Sequence, residues 1–105
     1  MPSLRESKRY LAFEIVSKTG VGSFQTMRAS ILGMIQAFLG QMGAAKAGIR
    51  IVRDRWDSAR QRGIIRINTR HVASVKSALL FGERIERHRI IIRSLGLSGS
   101  LKKMQ

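Results

Sequence analysis

The 105-residue chain contains no cysteine, one proline and only six acidic residues. Without cysteine there are no disulfides and no thiolate metal sites, so extracellular stapling is not indicated. The single proline, Pro2, leaves every interior helix and strand free of a forced break. Long apolar runs are missing too. The least charged stretch, Ala29 to Ala45, is 17 residues with Gln36, Gln41 and three glycines. A bilayer span needs about 20 mostly apolar residues. The opening MPSLRESKRY lacks the apolar core of a signal peptide. A soluble, cytoplasmic chain with no membrane partner is the expectation.

Catalytic and metal-binding constellations are also absent from the sequence. His71 and His88 stand apart without ligand spacing and read as surface or core histidines. Asp54 and Asp57 could attract Mg²⁺, but Arg53, Arg55 and Arg60 flank them, so internal ion pairing is expected instead. The stretch TGVGS, residues 19–23, lacks the closing Lys-Ser/Thr of a phosphate loop and reads as a turn. No Ser-His-Asp set stands at a recognisable motif. The five methionines read as packing residues. A binding subunit is favoured over a self-sufficient enzyme, with no catalytic residue, metal or cofactor assigned to this chain.

Positive charge is what the sequence has in excess. Twenty Lys and Arg against six Asp and Glu give a formal net charge of +14 and a pI near 11.9. Fourteen of these cations are arginines, whose planar fork of donors matches phosphate oxygens and stacks on bases. Such an excess repels itself in the folded state and suits a polyanionic partner. Nucleic acid is the first candidate and an anionic membrane the second. The apolar fraction of 44% supports one folded domain over residues 1–105.

Periodicity orders the elements. In KRYLAFEIVS, Leu11, Phe13 and Ile15 share one face and Tyr10, Ala12 and Glu14 the other, which predicts a half-buried strand. Ser23 is a plausible N-cap for a helix in which Phe24, Met27, Ile31, Met34, Ile35 and Phe38 recur at helical spacing. Gly40 or Gly43 could end it. GIRIVRDRW returns to strand spacing, DSARQRG is turn-like, and GIIRIN is a third strand. Thr69 can cap a second helix carrying Val72, Val75 and Leu79, stopped at Gly82. RHRIIIRSL is the fourth strand, and a short C-terminal helix can start at Ser98 or Ser100. The order β-α-β-β-α-β is that of a ferredoxin-like α+β sandwich. It implies a four-stranded antiparallel sheet with both helices on one face and the other face open.

The charge falls on that open face. Through Gly48 the net charge is +4; from Ile49 onward it is +10. Alternation directs Ile65, Ile67, Ile90 and Ile92 toward the helices, and leaves Ile64, Arg66, Asn68, Arg89, Ile91 and Arg93 outside. Arg50 joins them if Ile49 and Ile51 are the buried pair. The surface is either a phosphate-tracking RNA platform or a solvated face whose arginine stems cover apolar area, and the net charge favours the first. Arg62-Gly63 imitates the start of the third-strand signature of the RNA-recognition motif. Ile65 and Ile67 fill its aromatic positions, so its stacking residues are missing. Tyr10 alone can stack a base from the open face, and Trp56 lies at a strand end. Binding through shape and backbone charge is the expectation.

The first helix is different. Between Gly20 and Ala45 its only charge is Arg28, whereas a helix packed on a sheet normally carries a charged outer face. Phe24, Gln25, Arg28, Ile31 and Gln36 are therefore the candidate protein-partner surface.

RYLAFEI, RGIIRIN followed by HVASVKSALL, and the tail IIIRSLGLSGSLKKMQ resemble, in order and over nearly the whole chain, the small ribonuclease P protein of archaea and eukaryotes, called component 2 in archaea. The resemblance implies a non-catalytic subunit of the ribonucleoprotein that removes the 5′ leader from precursor tRNA. In that family the RNA performs the cleavage with Mg²⁺, and the protein pairs with a barrel-shaped subunit, component 3. Carried over on matching residues are Arg62, Gly63 and Arg66 of the third strand and Ser98, Gly99, Lys102 and Lys103 of the tail. With Arg50, Arg89 and Arg93 these form the candidate RNA-binding set. The arginine-rich loop DSARQRG departs from the family pattern. A general RNA-binding or ribosome-associated protein of the same fold is the alternative, and self-association is left open. The tail is either a helix start that receives phosphate at its free N–H groups or a frayed basic terminus.

Overall fold

Alternation along the first strand, β1 (Lys8–Ser17), buries Leu11, Phe13 and Ile15 and leaves Tyr10, Ala12 and Glu14 on the opposite face. A computed structural model describes residues 7–81, 84–85 and 88–101, with backbone alone between 81 and 90. Around β1 the elements are α1 (Phe24–Ala47), β2 (Arg50–Ile51), β3 (Arg62–Asn68), α2 (Val72–Phe81), β4 (Arg84–Ile85) and β5 (His88–Ser98). The sheet order is β2-β3-β1-β5-β4, antiparallel throughout. Its four principal strands, β2-β3-β1-β5, form the expected ferredoxin-like α+β arrangement. The two-residue β4, which pairs with the start of β5, is an addition to it.

One face of the sheet meets both helices. Phe13, Ile65, Ile67 and Ile92 join Met27, Ile31 and Ile35 of α1 and Val75, Ala78 and Leu79 of α2 in a single core. Fully burying a side chain of this size stabilises the fold by about 1.5–3 kcal/mol. The spacing of Met27, Ile31 and Ile35 at every fourth position supplies the buried stripe of α1. Ser23 caps that helix, its Oγ accepting from the Thr26 amide at 3.1 Å. Gly63 is a point of close packing in the core. A Cβ there would lie 2.7 Å from Cζ of Phe13 and 3.2 Å from the Trp56 ring.

Four expectations need correction. Gly40 (φ 77°, ψ 170°) kinks α1 without ending it; helix continues to Ala47 and stops at Gly48, whose φ of 61° suits a glycine cap. The second strand is short, because the chain leaves β2 for a 3-10 turn at Arg53–Arg55. It rejoins β3 through the bridge between Asp57 and Arg62. Thr69 opens a 3-10 turn, Thr69–His71, instead of capping α2, and its hydroxyl accepts from Ser7. Phe38, placed in the core by its spacing, is 46% exposed close to the Gly40 kink. Gly82 lies outside the described residues.

Gln61 ties the loop between β2 and β3 to the segment that precedes α1. Gln61 takes a positive φ of 56°. Its amide accepts from the Val21 N–H at 2.7 Å and donates to the carbonyls of Val21 and Ser58. In the sequence this loop had only its arginines to distinguish it.

Candidate nucleic-acid interface

The register between strands decides which open-face residues meet. Glu14 pairs with Arg62 on one side and Arg93 on the other. Four residues up the face, Tyr10 pairs with Arg66, and Arg66 with Arg50. The face therefore has two ends of different character.

At the first end a carboxylate is clamped between two guanidinium groups. Arg62 Nε donates to Glu14 Oε2 at 3.1 Å, and Arg93 Nη2 to Oε1 at 2.5 Å. The Arg62 hydrogen bond is the largest influence on Glu14. With Arg93 it outweighs partial burial and holds the carboxyl below its ordinary range. Both arginines keep solvent-facing surface, yet the trio carries a formal +1 only. Next to it lies a groove of about 600 Å³ over Ala12, Ile64, Leu95 and Gly96, rimmed by Asp57, Arg60 and Arg62. Arg60 faces Asp57 at 3.9 Å, so the expected internal ion pairing of this loop holds there. Leu95 enters the groove region at an irregularity in β5: Phe13 pairs with Ser94 but Ala12 with Gly96, leaving Leu95 as the extra residue.

At the second end Arg50 is exposed and Arg66 half-buried, and neither pairs with a carboxylate among the described residues. The Nε of Arg66 is buried and makes no hydrogen bond. Arg53 lies with its Cζ 5.2 Å from the centre of the Phe24 ring, a cation–π arrangement.

The candidate RNA-binding residues thus divide. Arg50, Arg62, Arg66 and Arg93 share the open face. Gly63 is buried, and its lack of a side chain serves the packing of Phe13 and Trp56. Ser98 forms a local turn, its Oγ accepting from the Ser100 amide at 3.1 Å, and Gly99 is exposed beside it. A turn of 3-10 begins at Leu101. Lys102 and Lys103 lie outside the described residues, as does the side chain of Arg89, whose backbone belongs to β5.

Two residues expected outside are enclosed. Ile64 is 5% exposed and lines the groove together with Ala12, Trp56 and Leu95. Asn68 is 8% exposed; its Nδ2 donates to the Lys46 carbonyl at 2.8 Å and its Oδ1 accepts from Lys8. Of the candidate partner surface, Gln25, Arg28 and Gln36 are exposed and Phe24 half-buried. Ile31 is fully buried and belongs to the core, because its position falls on the stripe of Met27 and Ile35. Met42, at 73% exposure, is an apolar surface residue of α1 that spacing did not single out.

Among the described residues, no three His, Asp or Glu side chains converge as ion ligands would. No described helix is long and apolar enough to cross a membrane.

Comparison with known proteins adds the lineage of this face. The model of the Rpp14/Pop5 family matches residues 9–105. The chain is 33% identical over 104 residues to Ribonuclease P protein component 2 of Thermococcus gammatolerans, covering 99% of this chain and 84% of that protein. It is likewise 33% identical, with the same coverage, to the Pyrococcus furiosus protein of that name. The Methanococcus vannielii counterpart is 30% identical over 108 residues, covering 99% of this chain and 76% of the relative. In structure, the chain is similar to one in a cryo-EM structure of yeast ribonuclease MRP, with a TM-score of 0.69 and 16% identity. That match spans 96% of this chain and 79% of the other, a likeness of fold.

Proposed function

The chain belongs to the Rpp14/Pop5 family, and on that premise we propose that it is a protein subunit of ribonuclease P that binds and stabilises the catalytic RNA. Its task is then electrostatic. RNA that folds back on itself brings phosphates together, and guanidinium groups lower that repulsion while leaving the RNA to cleave the 5′ leader of precursor tRNA. The observation that carries the reading is the placement of Arg50, Arg62, Arg66 and Arg93 on one face of a rigid sheet. Mg²⁺ belongs to the RNA in this scheme, and the chain's own residues supply charge and shape. Gln25, Arg28 and Gln36 on α1, with Met42, offer a weakly charged surface for the barrel-shaped component 3.

Reconstituted cleavage of precursor tRNA, with and without this chain and the barrel partner, tests the proposal. The expected result is a gain in cleavage at limiting Mg²⁺ when the chain is present. Equal affinity for ribonuclease P RNA and an unrelated RNA, with no effect on cleavage, would instead favour a general RNA-binding protein. If about six phosphates are neutralised, the logarithm of affinity falls with the logarithm of salt at a slope of about −4 to −5.

A further inference from the structure

Tyr10, Arg66 and Arg50 stand in a row on β1, β3 and β2, set there by strand register. With Ile51, Asp54 and Leu101 they line a depression of about 360 Å³. Pockets for small ligands run from about 300 to 1,000 Å³, so this one has room for a single flat ring and its substituents. Arg50 and Arg66 line it against one acidic residue, Asp54, while Arg53, also at its edge, has its guanidinium over the Phe24 ring. The site therefore favours an anion, in contrast to the Glu14 end. The Nε of Arg66 is buried without a hydrogen-bond partner, as are Trp56 Nε1 and His71 Nδ1, so the preference for an anion rests on the charges of Arg50 and Arg66.

The fourth component is the ring. Tyr10 is the chain's single tyrosine and lies half-buried on the open face among these arginines. A phosphate alone would need only the guanidinium groups, and an acidic peptide would gain nothing from the ring. A nucleotide uses both, because every base has a face that stacks on an aromatic side chain. Paired bases inside an RNA helix are unavailable for such stacking; bases of loops and bulges are not.

We propose that this depression receives one unpaired RNA nucleotide, with its base stacked on Tyr10 and its phosphate between Arg50 and Arg66. The inference deepens the RNA-subunit reading and rests on it. It also replaces uniform backbone tracking with a division of labour: the face as a whole attracts phosphates, and this end selects single-stranded RNA. Stacking tolerates any base, so the preference is for unpaired structure and not for sequence.

Binding of the full chain to a short oligouridylate, a duplex RNA of equal length and a polyglutamate peptide tests this, with circular dichroism verifying the fold of each variant. Tyr10→Ala is expected to weaken oligouridylate binding about 10-fold and duplex binding far less, whereas Tyr10→Phe keeps the ring and binds as the parent chain does. Arg50→Ala is expected to weaken both RNAs. An oligouridylate carrying 5-bromouridine should photocross-link to Tyr10, as read by peptide mass spectrometry. Tyr10→Ala binding the oligouridylate as tightly as the parent, cross-links that map only elsewhere, or polyglutamate binding with the same Tyr10 dependence would overturn the proposal. If the nucleotide site fails while the parent chain still stimulates precursor cleavage, the subunit reading stands. If the parent binds no RNA, both fall.

Discussion

Two ends of one sheet face carry arginines at equivalent positions, yet they are electrostatically different. At the Glu14 end, Arg62 and Arg93 are fixed by a carboxylate between them. At the Tyr10 end, Arg50 and Arg66 have no acidic partner among the described residues, and the phenol ring of Tyr10 stands where the acid does at the other end. A count of cations treats the four alike. Their neighbours do not: a paired guanidinium must give up or share its carboxylate before it meets phosphate, while an unpaired one loses only water. The lesson concerns net charge generally. Of the +14 on this chain, only the part without internal compensation is available to a partner at full strength.

The contrast can be broken outright from beneath. Ile65 of β3, between Arg62 and Arg66 in sequence, is fully buried in the core. Ile65→Ala is expected to destabilise the chain by about 2–5 kcal/mol, read by denaturant unfolding, with RNA affinity lost at both ends only as the chain unfolds.

Salt titration separates the ends themselves. Arg50→Ala should flatten the salt dependence of duplex RNA binding by about 0.9, the value for one phosphate contact. Arg62→Ala or Arg93→Ala should flatten it by less, since each removes a charge already half-compensated. Equal changes at all three positions would erase the distinction.

Removing the acid makes the two ends alike. Glu14→Gln frees Arg62 and Arg93, so RNA binding should tighten and the salt slope steepen, with a small fall in thermal stability from the lost ion pairs. The smallest effect is the dependence of that stability difference on pH. Glu14's carboxyl is held below its unfolded value of about 4.3, so its contribution is complete above that pH and fades as pH falls through the lower folded value. Parent and Glu14→Gln chains should therefore converge in thermal midpoint in acid and differ most near neutrality. A stability gap that widens on acidification would refute the clamp.

Much of the architecture could be read before any coordinates. The period-2 pattern of β1 and β3 assigned Leu11, Phe13, Ile15, Ile65 and Ile67 to the core, and all five are buried. Ser23 was recognisable as a cap from its residue type and the helical spacing after it. Local patterns failed where a distant segment intervened. Ile64 alternates outward but is 5% exposed, in a groove it lines with Leu95 and Trp56. Asn68 alternates outward too, but is tied to Lys46 and Lys8. Phe38 keeps helical spacing with the core yet is exposed, because the buried stripe of Met27, Ile31 and Ile35 continues at Leu39 instead. The clamp on Glu14 was half visible. Alternation put the acid on the arginine face, but nothing in one strand says which arginine of the next strand will lie opposite.

What the amino-acid order determined by itself was the assignment of side chains to an apolar layer and a cationic layer, since successive residues of a strand point to opposite faces whatever they pair with. Only the folded structure decided which cations keep their charge free, since that depends on strand register, a long-range relation that places Arg62 and Arg93 against Glu14 and sets Arg50 and Arg66 beside Tyr10. The first property is geometry of a single strand; the second exists only when three strands meet.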